Sequence, residues 1–224
     1  MLPVGQAEFL QERNFPELHG KKLLGLDILR REGYYQRRRG ICTVQGGHMQ
    51  YIGRYPSPLG DMVMAADGEG LIGLWFEGQK YFGSGLGPER EEKEVPVLEM
   101  TRRWLDMYFT GQEPDFSVPL HLLGTEFRRE VWELLLTIPY GKTMTYGDMA
   151  AVLARKRGKP VSPRAVGGAV GHNPVSLLVP CHRAVGAKGN LTGYAGGLDR
   201  KIRLLILEKA DRGPFFMPRK GNEA

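Results

Sequence analysis

At 224 residues, with 42% hydrophobic and 25% charged residues, the chain has room for one ordinary globular domain or two small ones. No apolar run approaches the roughly 18 residues that cross a bilayer, and residues 23–29, broken by Asp27, are too short for a secretory core, so the chain reads as soluble and nothing in it argues for export. The formal charge of +6 suits a polyanionic partner, and two distant cysteines, Cys42 and Cys181, cannot build a disulfide framework or a Cys-rich zinc site; a cytoplasmic protein without metal is expected.

Residues 1–48 carry basic clusters at Lys21-Lys22, Arg30-Arg31 and Arg37-Arg38-Arg39 but no apolar pattern long enough to bury a face. They are expected to be a disordered extension, or to lie ahead of the true initiator at Met49, since Met49-Gln50-Tyr51-Ile52 opens directly into strand pattern. Strand-like runs at 51–55, 62–66 and 71–76, separated by Pro56-Ser57-Pro58 and Asp67-Gly68, predict a small antiparallel sheet. Pro96 opens a helix that Gly111 ends, with Val97, Trp104, Leu105 and Tyr108 on one side, covering a sheet face.

Thr125 is an N-cap for a helix carrying Phe127, Val131, Leu134 and Leu135, which stops at Ile138-Pro139-Tyr140-Gly141. Thr145 caps a second helix at 146–153, a basic connector follows at 155–160, and Ser162-Pro163 starts a third at 164–171, so the pair reads as helix-turn-helix. A buried strand at 175–179, the Pro180-Cys181-His182-Arg183 segment, a Gly-rich loop and a last helix at 199–210 complete the chain. The fold class is therefore α/β (α+β): an N-terminal sheet-and-helix domain at 49–120, a mainly helical domain at 121–213 and a tail at 214–224.

Cys181 ends an apolar run, where a side chain leaves the core for a cleft. In a regular strand Cys181 and His182 point to opposite faces, so they cooperate only if the chain turns after Pro180. A nearby imidazole favours the nucleophilic thiolate, whereas a cysteine beside three apolar residues is also a common inert core residue. Glu208, beside the buried stripe of the last helix, is a candidate to orient His182; a solvated charge near the helix end is the plainer alternative. Gly167, Gly168, Ala169 and Gly171 in one helix cost roughly 1 kcal/mol per glycine relative to alanine, so something needs the missing side chains: a close-packed neighbour, or the DNA minor groove. In the second case Arg164 would enter the base stack and the connector would meet phosphates. Asn173-Pro174 makes a tight turn, and Tyr194 with Gly193, Gly196 and Gly197 forms a loop that can wall a pocket.

Together Gly124-Thr125 through Phe127, Val131-Trp132, residues 138–141, Thr145-Tyr146-Gly147, residues 164–169, Asn173-Pro174 and Pro180-Cys181-His182-Arg183 resemble the O6-alkylguanine-DNA alkyltransferase family, over roughly residues 50–210. The resemblance implies a single-turnover repair protein without cofactor that binds double-stranded DNA as a monomer, flips out O6-alkylguanine and takes its alkyl group irreversibly onto Cys181; O4-alkylthymine is left open as a substrate. It further implies His182 as water-mediated base, Glu208 as its partner, Tyr146 as the residue that protonates or hydrogen-bonds the departing guanine and Asn173 as brace of the turn. Arg164 becomes the finger filling the vacated stack, Ala165, Gly167, Gly168 and Ala169 the groove-facing helix, and Ala184, Tyr194 and Ala195 the pocket. Some family members have serine at the position of Ala195, and those with zinc use cysteines absent here. A Cys-His hydrolase, a non-catalytic lesion binder and a helix-turn-helix regulator are the competing readings.

Overall fold

The computed structural model describes residues 49–210; the expectations for residues 1–48 and for the 214–224 tail lie outside the described residues. Three strands, β1 (Gln50–Ser57), β2 (Gly60–Ala66) and β3 (Leu71–Phe76), form an antiparallel meander, and a short β4 (Arg90–Glu92) adds to β1 in parallel, giving the order β3-β2-β1-β4. The parallel edge strand was not foreseen, because its Arg-Glu-Glu sequence is exposed and carries no alternation. The first turn also sits later than expected. Pro56 and Ser57 stay in β1, Ser57 pairs with Gly60, and Gly60 takes the left-handed φ of 108° that reversal over Pro58 and Leu59 requires.

Alternation along β2 and β3 splits their side chains between two cores. Ala65, Ile72 and Trp75 form a small cluster with Ile52 and Leu86, while Met62, Met64, Leu71, Leu74 and Phe76 join the main core. Helix α1 (Pro96–Phe109) lays Leu98, Thr101, Leu105 and Tyr108 into that main core, as the Pro start and apolar spacing predict. Truncating a residue such as Leu74, fully buried here, would cost on the order of 2–5 kcal/mol.

The remaining edge of β3 is capped by two passing segments. Leu71 exchanges backbone hydrogen bonds with Pro119 and His121 (2.8 and 2.9 Å), and Leu74 with Pro174 and Ser176 (2.8 and 2.9 Å). The second contact ties the sheet to the stretch leading to Cys181. That stretch corrects the expected buried strand at 175–179: after one bridge at Val175 the chain turns, with Leu177 at φ 70°.

Helices α2 (Glu126–Leu136), α3 (Tyr146–Arg157) and α4 (Pro163–Gly171) pack through Val131, Trp132, Leu135, Met149, Leu153, Val166 and Val170 into the same core as the sheet. Their caps are those the sequence predicts, with Thr125, Thr145 and Ser162 accepting from Arg128, Asp148 and Ala165 backbone amides. The connector residues 155–157 belong to α3, which ends on Gly158 in the left-handed conformation. A two-stranded parallel pair, β5 (Met144–Thr145) with β6 (Ala184–Val185), places the start of α3 beside the segment after Cys181, and α5 (Leu198–Leu207) closes the chain. Among the described residues no helix is long and apolar enough to cross a membrane.

Candidate active site

Pro180, at ψ 64°, leaves the extended conformation, and Cys181–Arg183 form a single 3₁₀ turn. Cys181, His182 and Arg183 thereby all point into the protein instead of alternating, which is the turn that cooperation between Cys181 and His182 requires. Asn173 holds the turn. Its Nδ2 donates to the carbonyls of Val175 (3.2 Å) and Val179 (2.8 Å) and to Cys181 Sγ (3.1 Å), and its Oδ1 accepts from Val175 N (3.0 Å). One side chain thus satisfies backbone groups that a strand would have paired, and holds the sulfur as well.

Glu208 stands at the C-cap of α5, where the sequence leaves open a solvated charge; it is instead 2% exposed. Its Oε1 accepts from His182 Nε2 (2.7 Å), the Tyr108 hydroxyl (2.7 Å) and Arg183 Nη2 (3.0 Å), and its Oε2 from Arg183 Nε (2.9 Å) and Gly141 N (3.1 Å). The Gly141 contact needs glycine, since φ is 69° and a Cβ would lie 2.9 Å from the Glu208 carbonyl. Burial alone would raise the Glu208 carboxyl, but the donors of His182 and Arg183 outweigh it and hold it at about 2. Burial lowers the His182 pKa against the pull of Glu208, so the ring is neutral. With Nε2–H assigned to the carboxylate, Nδ1 carries the lone pair; it is buried and has no protein partner.

Burial pushes the Cys181 thiol up. The Asn173 amide, the Lys201 charge and the backbone amides of Cys181 and His182 oppose that shift without overcoming it, so the resting sulfur is protonated and needs a base. Lys201, on α5, is fully buried and donates from Nζ to the Ala184 carbonyl (2.6 Å) and the Thr192 carbonyl (3.1 Å). It ties the two pocket walls together, and burial brings its pKa down to about 8. The Tyr146 hydroxyl, at the start of α3, donates toward the Thr192 and Gly193 carbonyls (3.2 and 3.3 Å), and burial followed by the charge at Cys181 raises it to about 12. Tyr194 is raised well above the ordinary tyrosine value, first by burial and then by Cys181. Ala195, in the same loop, accepts from Lys80 N (3.0 Å).

Helix α4 packs through Val166, Ala169 and Val170, and Trp132 Nε1 donates to the Ala169 carbonyl (2.9 Å). Its other side carries Arg164, Ala165 and Gly168, all exposed. A Cβ added at Gly167, Gly168 or Gly171 would meet nothing within 4 Å, so no close-packed neighbour explains these glycines. Arg164 makes no ion pair among the described residues. In the last turn of α3, Arg157 and Lys156 pair with Glu130 and Glu133 on α2.

The structure thus gathers Cys181, His182, Glu208, Asn173, Tyr146, Tyr194 and Ala184 around one sulfur and its pocket loop, and sets Arg164, Ala165, Gly167 and Gly168 apart on a bare helix face; Ala169 faces the core. Sequence reading missed Tyr108, Arg183 and Lys201. Tyr108 reads as helix packing, and Lys201 carries no reading from sequence; only its spacing from Leu204 and Leu205, on the same buried stripe, offers a signal. Among the described residues no group of three or more His, Cys, Asp or Glu side chains is arranged to hold a metal ion.

Residues 50–122 match the family model described as 6-O-methylguanine DNA methyltransferase, ribonuclease-like domain, and residues 126–210 the one described as its DNA binding domain. The chain is 44% identical over 155 residues to a methylated-DNA–protein-cysteine methyltransferase of Mycobacterium leprae, covering 68% of this chain and 88% of that protein. It is 41% identical over 161 residues to the Haemophilus influenzae protein of the same name, covering 71% and 86%. Among solved structures it resembles Mycobacterium tuberculosis OGT in complex with DNA, with a TM-score of 0.60 and 40% identity over 72% of this chain and 92% of that one.

Proposed function

The chain belongs to the 6-O-methylguanine DNA methyltransferase family, and from that premise we propose that Cys181 is the acceptor of the alkyl group and His182, Glu208, Asn173 and Tyr146 the residues that let it react. Direct alkyl transfer from DNA to protein is the activity of the family, and DNA is the partner. The substrate is O6-alkylguanine in duplex DNA, extruded into the pocket bounded by Ala184, Tyr194 and Ala195, at a cost of a few kcal/mol that is least for a poorly paired base.

The thiol proton passes to the free Nδ1 of His182 through a bridging water, and the ionised Glu208 stabilises the imidazolium. The thiolate attacks the alkyl carbon, a sulfur–carbon bond forms, and the carbon–oxygen bond breaks with its electron pair passing to guanine. Tyr146 donates its hydroxyl hydrogen bond to the departing base. The product thioether has no easy hydrolytic route, so each molecule acts once. The reacting groups and the donors around them are all supplied by this one chain, so the proposed transfer needs no second copy.

The observation that carries this reading is the double role of Asn173, which follows the bare helix α4 and holds Cys181 Sγ, so the group that receives DNA and the group that reacts share one fixed joint. A Cys-His hydrolase would leave the open-faced glycines without a purpose. Incubation with duplex DNA carrying radiolabelled O6-methylguanine, followed by peptide mapping, is expected to give one label per protein on Cys181 and none in Cys181→Ala. Label elsewhere, or turnover of a reporter ester by the intact protein, overturns it.

A further inference from the structure

The exposed side of α4 does not stop at the end of the helix. Arg164, Gly168 and His172 recur at four-residue spacing and so lie along one side. His172 is fixed there by its Nδ1–H, which donates to the Gly168 carbonyl (2.7 Å). Its ring stacks on Tyr81, with centroids 4.0 Å apart and planes 25° apart, and the Lys80 ammonium lies 5.0 Å from the Tyr81 centroid. The loop after β3 therefore continues the helix face with an aromatic ring and a cation.

Several features separate this loop from an ordinary surface turn. Tyr81 is 38% exposed and Phe82 45%, and Tyr81 sits at φ 62°, a left-handed conformation that is strained for a residue with a side chain. The loop is held against that strain at both sides: buried Gln79 accepts from Phe76 N (2.9 Å) and lies 3.4 Å from the Ser176 hydroxyl, and Lys80 N donates to Ala195 O (3.0 Å). Lys80 makes no ion pair among the described residues.

We infer that Lys80 and Tyr81 form a second DNA-contacting element, in which the Lys80 ammonium meets a backbone phosphate of the strand running past the C-terminal end of α4 and the Tyr81 ring, backed by His172, flanks the adjoining sugar. The inference rests on the proposed groove-facing role of α4. The occupant is DNA because this patch is continuous with that helix face and joins an unpaired cation to an aromatic ring, the combination that recognises a sugar–phosphate chain.

The test measures binding of the full-length protein to duplex oligonucleotides, with and without O6-methylguanine, by fluorescence anisotropy between 50 and 200 mM salt. Each phosphate contact adds about 0.9 to the slope of log K against log salt. Lys80→Gln is expected to lower that slope by about one and to weaken damaged and undamaged duplex alike. Tyr81→Gly, which relieves the backbone strain, is expected to weaken binding with the slope unchanged. An unaltered slope and affinity in Lys80→Gln, which is a surface change and keeps the fold, overturns the inference. If Arg164→Ala weakens binding while Lys80→Gln does not, this element alone fails; if the unsubstituted protein binds duplex without a salt slope, the reading of α4 fails with it.

Discussion

Replacing Gly168 by leucine should strengthen the fold and weaken the function. A Cβ at this position meets no atom within 4 Å, its φ lies outside the left-handed region, and its side chain would point away from the core that Val166, Ala169 and Val170 fill. Glycine inside a helix costs roughly 0.8–1 kcal/mol relative to alanine and leucine is nearly as good as alanine, so Gly168→Leu should gain a little under 1 kcal/mol. For a domain of this size that is roughly 2–4 °C in melting temperature. A helix with side chains is ~10–12 Å across and the minor groove ~6 Å wide, so added bulk on this face must hold α4 away from an opened groove. Transfer from duplex O6-methylguanine in single-turnover kinetics should then fall at least tenfold relative to transfer from the free base, about 1.4 kcal/mol of lost binding. Melting and transfer are measured on the same preparation. A lowered melting temperature would mean that the glycine serves the fold, and an unchanged duplex rate would mean that this face does not meet DNA.

Asn173→Ala removes three backbone hydrogen bonds and the contact to the sulfur; at about 1 kcal/mol each the fold should lose roughly 3 kcal/mol, read as a drop in urea midpoint, and the transfer rate should fall as well. Lys201→Met unties Ala184 from Thr192 and removes a charge that favours the thiolate; transfer should drop roughly tenfold or more and its pH profile should move to higher pH, whereas a rate change without that displacement would leave only the tie. Glu208 has a folded pKa of about 2 against an ordinary 4.5, so its contribution, on the order of 3 kcal/mol, is complete above pH 4.5 and is lost as pH falls toward 2. Glu208→Gln should flatten the acid limb of stability against pH; a limb of unchanged depth refutes the assignment. Because burial lowers the His182 pKa, the acid limb of the transfer rate should fall below pH 6.5, and a midpoint above that value would refute the lowering.

Where a cap or a short repeat carries the information, sequence and structure agree closely. Thr125, Thr145 and Ser162 start their helices because each needs only its own hydroxyl and an amide three residues on. β3 was readable from six consecutive apolar and glycine residues. Residues 175–179 were not, because apolar composition cannot distinguish a strand from a buried turn whose backbone groups are satisfied by an asparagine outside the run. The same blindness hides β4, whose partner lies some 40 residues earlier along the chain.

Chemistry at the site divides in the same way. The order Asn-Pro, Pro-Cys-His-Arg and the glycine-rich helix is written in the chain, and with it the proposed acceptor cysteine, its neighbouring imidazole and the family. What Glu208 does is not, since a carboxylate at a helix end is solvated or buried according to what folds over it, and here Tyr108 from the sheet domain, Gly141 from a turn and Arg183 from the cysteine segment converge on it. The glycines of α4 likewise left two explanations standing until the space around each absent Cβ was known. Local hydrogen bonds and spacing are properties of neighbouring residues and survive in the sequence; burial, empty space and converging donors arise between segments far apart in the chain, so only the folded arrangement decides them.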